Sequence, residues 1–246
     1  MTFTNKIIVF DNPKEVAKKI ARIFVETVAR KPNIIFGLPT GKTFIPIYRE
    51  VVRLSKKKKI SFAKVRTFNL DEFYGLKIGE KGSFSNYMNK NLFDKVDIKR
   101  QNIFMLNGNA RDFSKECAVY ENKIKKLGGI DLQFLGLGVN GHIGFNEPGS
   151  AFGSRTRRVK LTSYTRKLNA FLFSSATSVP RYALTMGIGT ILDAKKIILV
   201  ATTKSKSQIV RKIVSGMINK KILASALCRH KNVTLILDKD AARLLS

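Results

Sequence analysis

Short apolar runs alternate along this chain with longer stretches whose apolar residues recur at helical spacing. Residues 6–10 read as a strand. From Pro13 onward, Val16, Ala17, Ile20, Ala21, Phe24 and Val28 mark one face of a helix, with Asp11 or Asn12 as its cap and Pro13 in its first turn. Residues 33–36 make a short buried strand, and 37–43 form a turn into the next helix. A third strand covers 64–70, followed by a helix over 83–91 and a strand-like segment over 101–105. Ser114 to Lys126 is amphipathic, opens on Ser114-Lys115-Glu116 and stops at Gly128-Gly129. Leu132 to Leu137 is an apolar run of the kind buried on both faces of a sheet. Beyond it, the basic segment 154–158 reads as a mobile loop, 160–161 as the beginning of a strand, and 163–173 as a helix. Residues 179–186 lead into Gly187-Ile188-Gly189-Thr190, and 196–201 is a buried strand followed by a helix over 205–214. Val233 to Leu237 closes the sheet, and a short helix ends the chain at Ser246. Without an internal repeat or linker, this order predicts one three-layer α/β/α domain over residues 1–246, built on a mostly parallel central sheet.

Chemistry-bearing side chains gather where these strands end, which is where α/β proteins place their sites. After 132–137 come glycines at 136, 138, 141 and 144, and with them Asn140, His142 and Glu147. A histidine is often a satisfied core residue, but one set in a Gly-rich turn after a buried strand points to a site instead. The turn Gly37-Leu38-Pro39-Thr40-Gly41-Lys42-Thr43 aims free backbone N–H groups, and a helix dipole, at whatever lies above it. Such turns bind anions and also serve as plain connectors, and this one lacks the spacing of a Walker A loop. Asp71 and Glu72 stand at the end of the third strand, either as a helix cap and first-turn acid or as a base and helper in a cleft.

Composition narrows the chemistry. Two histidines and two cysteines, without H-x-x-x-H or CxxC spacing, argue against a transition-metal centre and a disulfide framework. Cys117 reads as a small core residue. No G-x-S-x-G elbow supplies a serine nucleophile, and no G-x-G-x-x-G opens the first βα unit, so a dinucleotide cofactor is not expected. No apolar run reaches the ~20 residues of a membrane span. The first ten residues show no signal-peptide pattern, and a cytoplasmic location follows as the default. The charge is the unusual quantity: 46 Lys+Arg against 17 Asp+Glu give a formal +29. That balance fits a polyanion-binding protein or lysine-coated helix faces. Only Lys56 to Lys59 form a dense cluster, no nucleic-acid motif accompanies them, and solvated faces are the preferred reading. A positive field would also speed capture of a phosphorylated substrate.

The residues Gly138-Val139-Asn140-Gly141-His142-Ile143-Gly144-Phe145-Asn146-Glu147-Pro148 resemble the signature of the glucosamine-6-phosphate deaminases, which share their fold with the 6-phosphogluconolactonases. Segments 37–43, 69–76, 154–157, 179–190 and 224–227 resemble that family too, in the expected order, so the likeness covers nearly the whole chain. It implies a Rossmann-like single domain and conversion of glucosamine 6-phosphate and water to fructose 6-phosphate and ammonia, without cofactor or metal. It implies Asp71 as base at C2, His142 in ring opening, and Asn140 and Glu147 setting the imidazole. Thr40, Gly41, Lys42, Thr43, Arg181 and Lys206 would hold the phosphate, with Lys204 a competitor of Lys206.

The sequence departs from the family pattern at several points. Asn140 replaces a frequent Asp, Lys42 a frequent glycine, Thr203 the usual glycine and Leu223 a usual proline. Some members are hexamers activated by N-acetylglucosamine 6-phosphate. Ser150 and Arg157 match that motif, but Val159 stands where a lysine is needed and the long C-terminal tail is missing, so activation is not expected. Monomer and homo-oligomer both remain open. The nearest rival activity is that of a 6-phosphogluconolactonase, which would have S-L-F-P-like residues in place of Phe145 to Pro148; the rival class is a basic polyanion-binding protein.

Overall fold

The computed structural model describes residues 6–175 and 177–245. Met1–Asn5, the approach to the first strand, and Ser246, the expected end of the last helix, lie outside them.

The chain opens with β1 (Lys6–Phe10), α1 (Pro13–Arg30), β2 (Ile35–Leu38), α2 (Phe44–Lys58) and β3 (Arg66–Asn69). There follow β4 (Asp71–Phe73), α3 (Phe84–Asn91), β5 (Ile103–Phe104), α4 (Phe113–Lys126) and β6 (Leu132–Gly136). The second half contains β7 (Arg157–Lys160), α5 (Ser163–Asn169), β8 (Tyr182–Thr185), α6 (Ile188–Leu192) and β9 (Ile197–Ala201). Last come α7 (Ser207–Val214), β10 (Val233–Asp238) and α8 (Lys239–Ala242). Among the described residues no helix is long and apolar enough to cross a membrane.

Seven strands form a parallel sheet in the order β1-β10-β9-β6-β2-β3-β5. Alternate side chains of each strand feed two cores, because successive Cβ atoms leave opposite faces of a sheet. Phe134, Ile198, Val200 and Ile236 pack with α1 and α2 on one face, whereas Leu135, Leu199, Leu235 and Leu237 pack with α4, α6 and α7 on the other. That is the three-layer arrangement the alternation of elements implies.

Local chemistry sets the helix starts. Asn12, not Asp11, caps α1, its side chain accepting from Lys14 N at 3.0 Å and Glu15 N at 3.1 Å. The cap of α4 is Asp112 rather than Ser114: its carboxylate accepts from Lys115 N at 2.9 Å, so the helix begins one residue before the serine. A 3-10 turn, Lys204–Lys206, precedes α7, which therefore starts at Ser207 instead of 205.

The departure that matters most is a second, antiparallel sheet of order β4-β8-β7. Segment 154–158, expected as a mobile loop, is tied down and runs into β7. Arg155 pairs with Glu121 and Asp193, and Thr156 bonds Glu121 through both its N–H and its hydroxyl. A four-residue R-R-V-K strand shows too little apolar alternation to be seen in sequence. Likewise the strand expected to begin at 160 ends there.

Thr203, at the end of β9, holds φ at +79°, a region β-branched residues avoid. Its N–H donates to both carboxylate oxygens of Asp238, at 3.0 and 3.1 Å, which keeps the strained turn in place. Thr203→Gly is expected to raise unfolding stability by about 1 kcal/mol, the lower end of the usual cost of such strain. Urea unfolding reads this, and an unchanged or lower stability would contradict the assignment of strain.

Candidate active site

Chain order along the sheet reverses between β2 and β6. From β2 the chain moves outward through β3 to β5, then returns to the other side of β2 as β6, with β9 and β10 beyond. The crevice above such a reversal, at the carboxyl ends of the strands, is where open α/β sheets hold ligands. Here it is a cavity of about 240 Å³. The loop after β2 brings Thr40, Gly41, Lys42 and Thr43 to its wall; the chain after β3 brings Asp71, the turn after β6 brings His142, and the chain after β9 brings Lys206.

On the β2 side Gly41 takes φ +104°, a conformation that favours glycine. Thr43 makes no side-chain cap to α2, so the helix start keeps backbone donors for a ligand. Lys42 does not point away: it lines the cavity, its ammonium 4.7 Å from the ring centroid of Phe171. Lys206 is partly buried with no carboxylate partner among the described residues, and that burial holds its ammonium below the usual lysine range. A poorly hydrated, unpaired cation at a cavity wall attracts an anion. Lys204 is exposed and does not line the cavity.

Arg181 lies elsewhere. Register pairs Asp71 with Thr185 and Lys160 with Tyr182, so Arg181 precedes the far end of β8. Four residues of extended chain separate it from Thr185, roughly 13 Å. Its side chain is exposed and outside the cavity wall.

Neither Asp71 nor Glu72 caps a helix that follows directly, since both belong to β4. Alternation along that strand sends them to different places. Glu72 reaches α3, where its carboxylate accepts from Phe84 N and Ser85 N at 2.8 Å each and from its neighbour Phe73 N at 2.9 Å. Asp71 faces the cavity, only 6% exposed and with no cation paired to it among the described residues. Burial first, and the nearby Glu72 carboxylate second, push its pKa up to about 8.

His142 is set by Asn140. The amide oxygen accepts the backbone N–H of His142 at 3.1 Å, and the same oxygen lies 2.6 Å from Nδ1. An oxygen there requires the hydrogen on Nδ1, which leaves Nε2 of the neutral ring as the acceptor. Asn140 Nδ2 donates to Glu147 at 3.4 Å, and Glu147 also accepts from the hydroxyls of Thr165 and, at 3.2 Å, Thr162. Glu147 thus meets the imidazole through Asn140. Burial lowers the pKa of His142, Glu147 opposes that, and the Lys206 charge adds to it. The ring packs against Gly138, where an added Cβ would sit 2.4 Å from Nδ1, so no larger residue fits below it.

The same turn closes on Asp71: a Cβ built at residue 144 would lie 3.5 Å from Asp71 Oδ2. The structure therefore brings together nine of the ten site positions expected from the sequence, all but Arg181. It adds Thr162, Thr165 and Phe171, which no motif spacing marks. The pair Thr162-x-x-Thr165 reads in sequence only as the cap of α5.

The family described as glucosamine-6-phosphate isomerases/6-phosphogluconolactonase matches residues 11–236. A glucosamine-6-phosphate deaminase of Clostridium botulinum (strain Kyoto / Type A2) is 48% identical over 241 residues, 98% of this chain and 99% of that relative. One of Thermoanaerobacter sp. (strain X514) is 43% identical over 240 residues, covering 98% and 95%. Among solved structures, a monomeric glucosamine-6-phosphate deaminase superposes with a TM-score of 0.94 at 44% identity, over 97% of this chain and 99% of that one. The 6-phosphogluconolactonase from Trypanosoma cruzi shares the fold, with a TM-score of 0.76 at 24% identity over 100% and 98%. A match of this length and identity, on a cavity of this construction, means that the chain belongs to the family of the glucosamine-6-phosphate isomerases and 6-phosphogluconolactonases.

Proposed function

We propose that residues 1–246 act as one glucosamine-6-phosphate deaminase-like domain, in the cytoplasm, converting glucosamine 6-phosphate and water to fructose 6-phosphate and ammonia. The observation that carries this reading is the shared cavity of Asp71, His142 and the 40–43 loop. Every chemical step is a proton transfer or water addition on a phosphorylated sugar. In the bound sugar the phosphate rests on the N–H groups of residues 40–43, with Lys42 and Lys206 supplying charge. Neutral His142 takes the O1 proton at Nε2 and returns it to the ring oxygen, which opens the ring. Asp71 removes the C2 proton and delivers it to C1 while O1 gains the proton that the substrate ammonium gives up, leaving a protonated imine at C2 and a hydroxyl at C1. Water adds to that imine and ammonia leaves. Asn140 fixes the ring tautomer, and Glu147 fixes Asn140. The lactonase alternative has weaker support: Phe145 to Pro148 are the deaminase residues, and the deaminase relatives are the more similar in sequence.

A carboxyl with a pKa of about 8 is a strong base once ionised. The substrate ammonium, arriving beside it, favours ionisation. In the free enzyme kcat/KM is therefore expected to rise with pH up to about 8. Asp71→Asn is expected to lower ammonia release about 1,000-fold. Stability should move the other way. The folded chain keeps this proton between the ordinary aspartate value of 3.8 and about 8, while the unfolded chain releases it. The stability tied to the protonated carboxyl is full below 3.8 and lost as pH climbs through about 8. Asp71→Asn should match wild type near pH 4 and be the more stable above pH 8. Ammonia release that survives the substitution removes Asp71 from the base role. Lactone hydrolysis with no ammonia from glucosamine 6-phosphate would instead select the lactonase.

Replacing Asn140 by Asp puts a carboxylate against Nδ1, which favours imidazolium. The acid limb of the pH–kcat profile is expected to move up by about 1 unit. An unmoved limb means that position 140 is not coupled to the histidine. The formal +29 should also show in the kinetics. Raising salt from about 50 to about 500 mM should lower kcat/KM several-fold and leave kcat alone. Salt-independent kcat/KM would remove the field from substrate capture.

A further inference from the structure

Three of the chain's six tyrosines end on main-chain carbonyls around the cavity. Tyr120 donates to Asn69 O at 2.6 Å, just before Asp71. The other two act on the phosphate loop: Tyr48 of α2 donates to Pro39 O at 2.6 Å, and Tyr87 of α3 donates to Gly41 O at 2.7 Å. Neither Tyr48 nor Tyr87 lines the cavity itself.

Their effect follows from the planarity of the peptide unit. In a trans peptide the carbonyl and the next N–H point in opposite directions. Drawing Pro39 O toward Tyr48 turns the N–H of Thr40 the other way. Drawing Gly41 O toward Tyr87 does the same for the N–H of Lys42. Thr40 and Lys42 both line the cavity. The hydroxyls thus preset the donors that an anion would meet, at a loop whose central glycine already holds φ +104°. Burial pushes the Tyr87 hydroxyl well above its ordinary value, so it remains a donor at any working pH.

Tyr87 is also connected to the other end of the site. It stands one turn into α3, whose first N–H groups, those of Phe84 and Ser85, are seated on the carboxylate of Glu72. Glu72 is the chain neighbour of Asp71. One short helix therefore bridges the residue beside the carboxyl and the loop that would hold the phosphate. We infer that Tyr87 is a positioning residue for the substrate phosphate, and that α3 is the spacer setting the separation between phosphate loop and proton-transferring carboxyl. This rests on the function proposed above.

Tyr87→Phe keeps the ring and removes the hydroxyl. The expected result is a KM for glucosamine 6-phosphate raised about five- to ten-fold, the scale of one lost neutral hydrogen bond. The inhibition constant of inorganic phosphate should rise by the same factor, while kcat stays within about two-fold. Tyr48→Phe, which frees the Pro39 carbonyl, should give the same signature and carries the test if Tyr87→Phe does not fold. Loss of kcat at unchanged KM, or unchanged KM and phosphate inhibition in the folded variants, overturns the inference and leaves the function standing. A wild type that neither releases ammonia nor is inhibited by phosphate sinks the proposed function, and this inference with it.

Discussion

The constraint on which the site depends is a carboxyl group held out of water with no cation paired to it among the described residues. Asp71 is buried at the end of a strand, beside a second carboxylate. A protein gains no stability from that arrangement, because burial disfavours the charged form. It persists because the surroundings are over-determined. β4 is paired with β8, Glu72 is seated on the start of α3, and the turn carrying His142 closes over the carboxyl. Removing the charge would relieve the fold, and on the proposed function it would also stop the chemistry, the usual conflict between stability and activity.

The opposite wall of the cavity is built on cations and amide donors. Lys206 and Lys42 line it, as does the loop between β2 and α2 that leads into the start of a helix. One molecule that bears a phosphate at one end and an acidic C–H at the other would satisfy both walls. His142 lies between them as a neutral ring, kept so by burial and by Lys206, and oriented by an amide instead of a carboxylate. The replacement of acid by amide at residue 140 takes away the charge that would favour imidazolium but keeps the tautomer. Glu147 still contributes, one hydrogen bond further out.

Much of the main sheet was legible in sequence because parallel strands buried on both faces leave continuous apolar runs, as at 132–137, 196–201 and 233–237. The Gly-rich turn made the positions of Asn140, His142 and Glu147 conspicuous, because glycines so dense mark positive φ, as at Gly141 and Gly144, or close approach, as at Gly138 under the His142 ring. The small sheet was not legible. Its strands are three or four residues long, and β7 reads as a basic loop until Glu121, on a distant helix, is seen to hold Arg155 and Thr156. Arg181 misled because its motif is local, while its distance from the cavity depends on the register of β8. Thr162, Thr165 and Phe171 reach the site from a segment whose pattern is that of an ordinary capped helix, 41% exposure of Phe171 included.

A crystal structure with a bound ligand would fix the distance between the phosphate loop and Asp71. The ligand would be an open-chain amino-sugar 6-phosphate whose C1 is reduced to an alcohol, so that it binds without turning over. Its phosphate is expected on the N–H groups of residues 40–43 with Lys206 alongside, and its C2 within about 3.5 Å of an Asp71 oxygen. A phosphate bound away from that loop, or a C2 facing any residue other than Asp71, would contradict it.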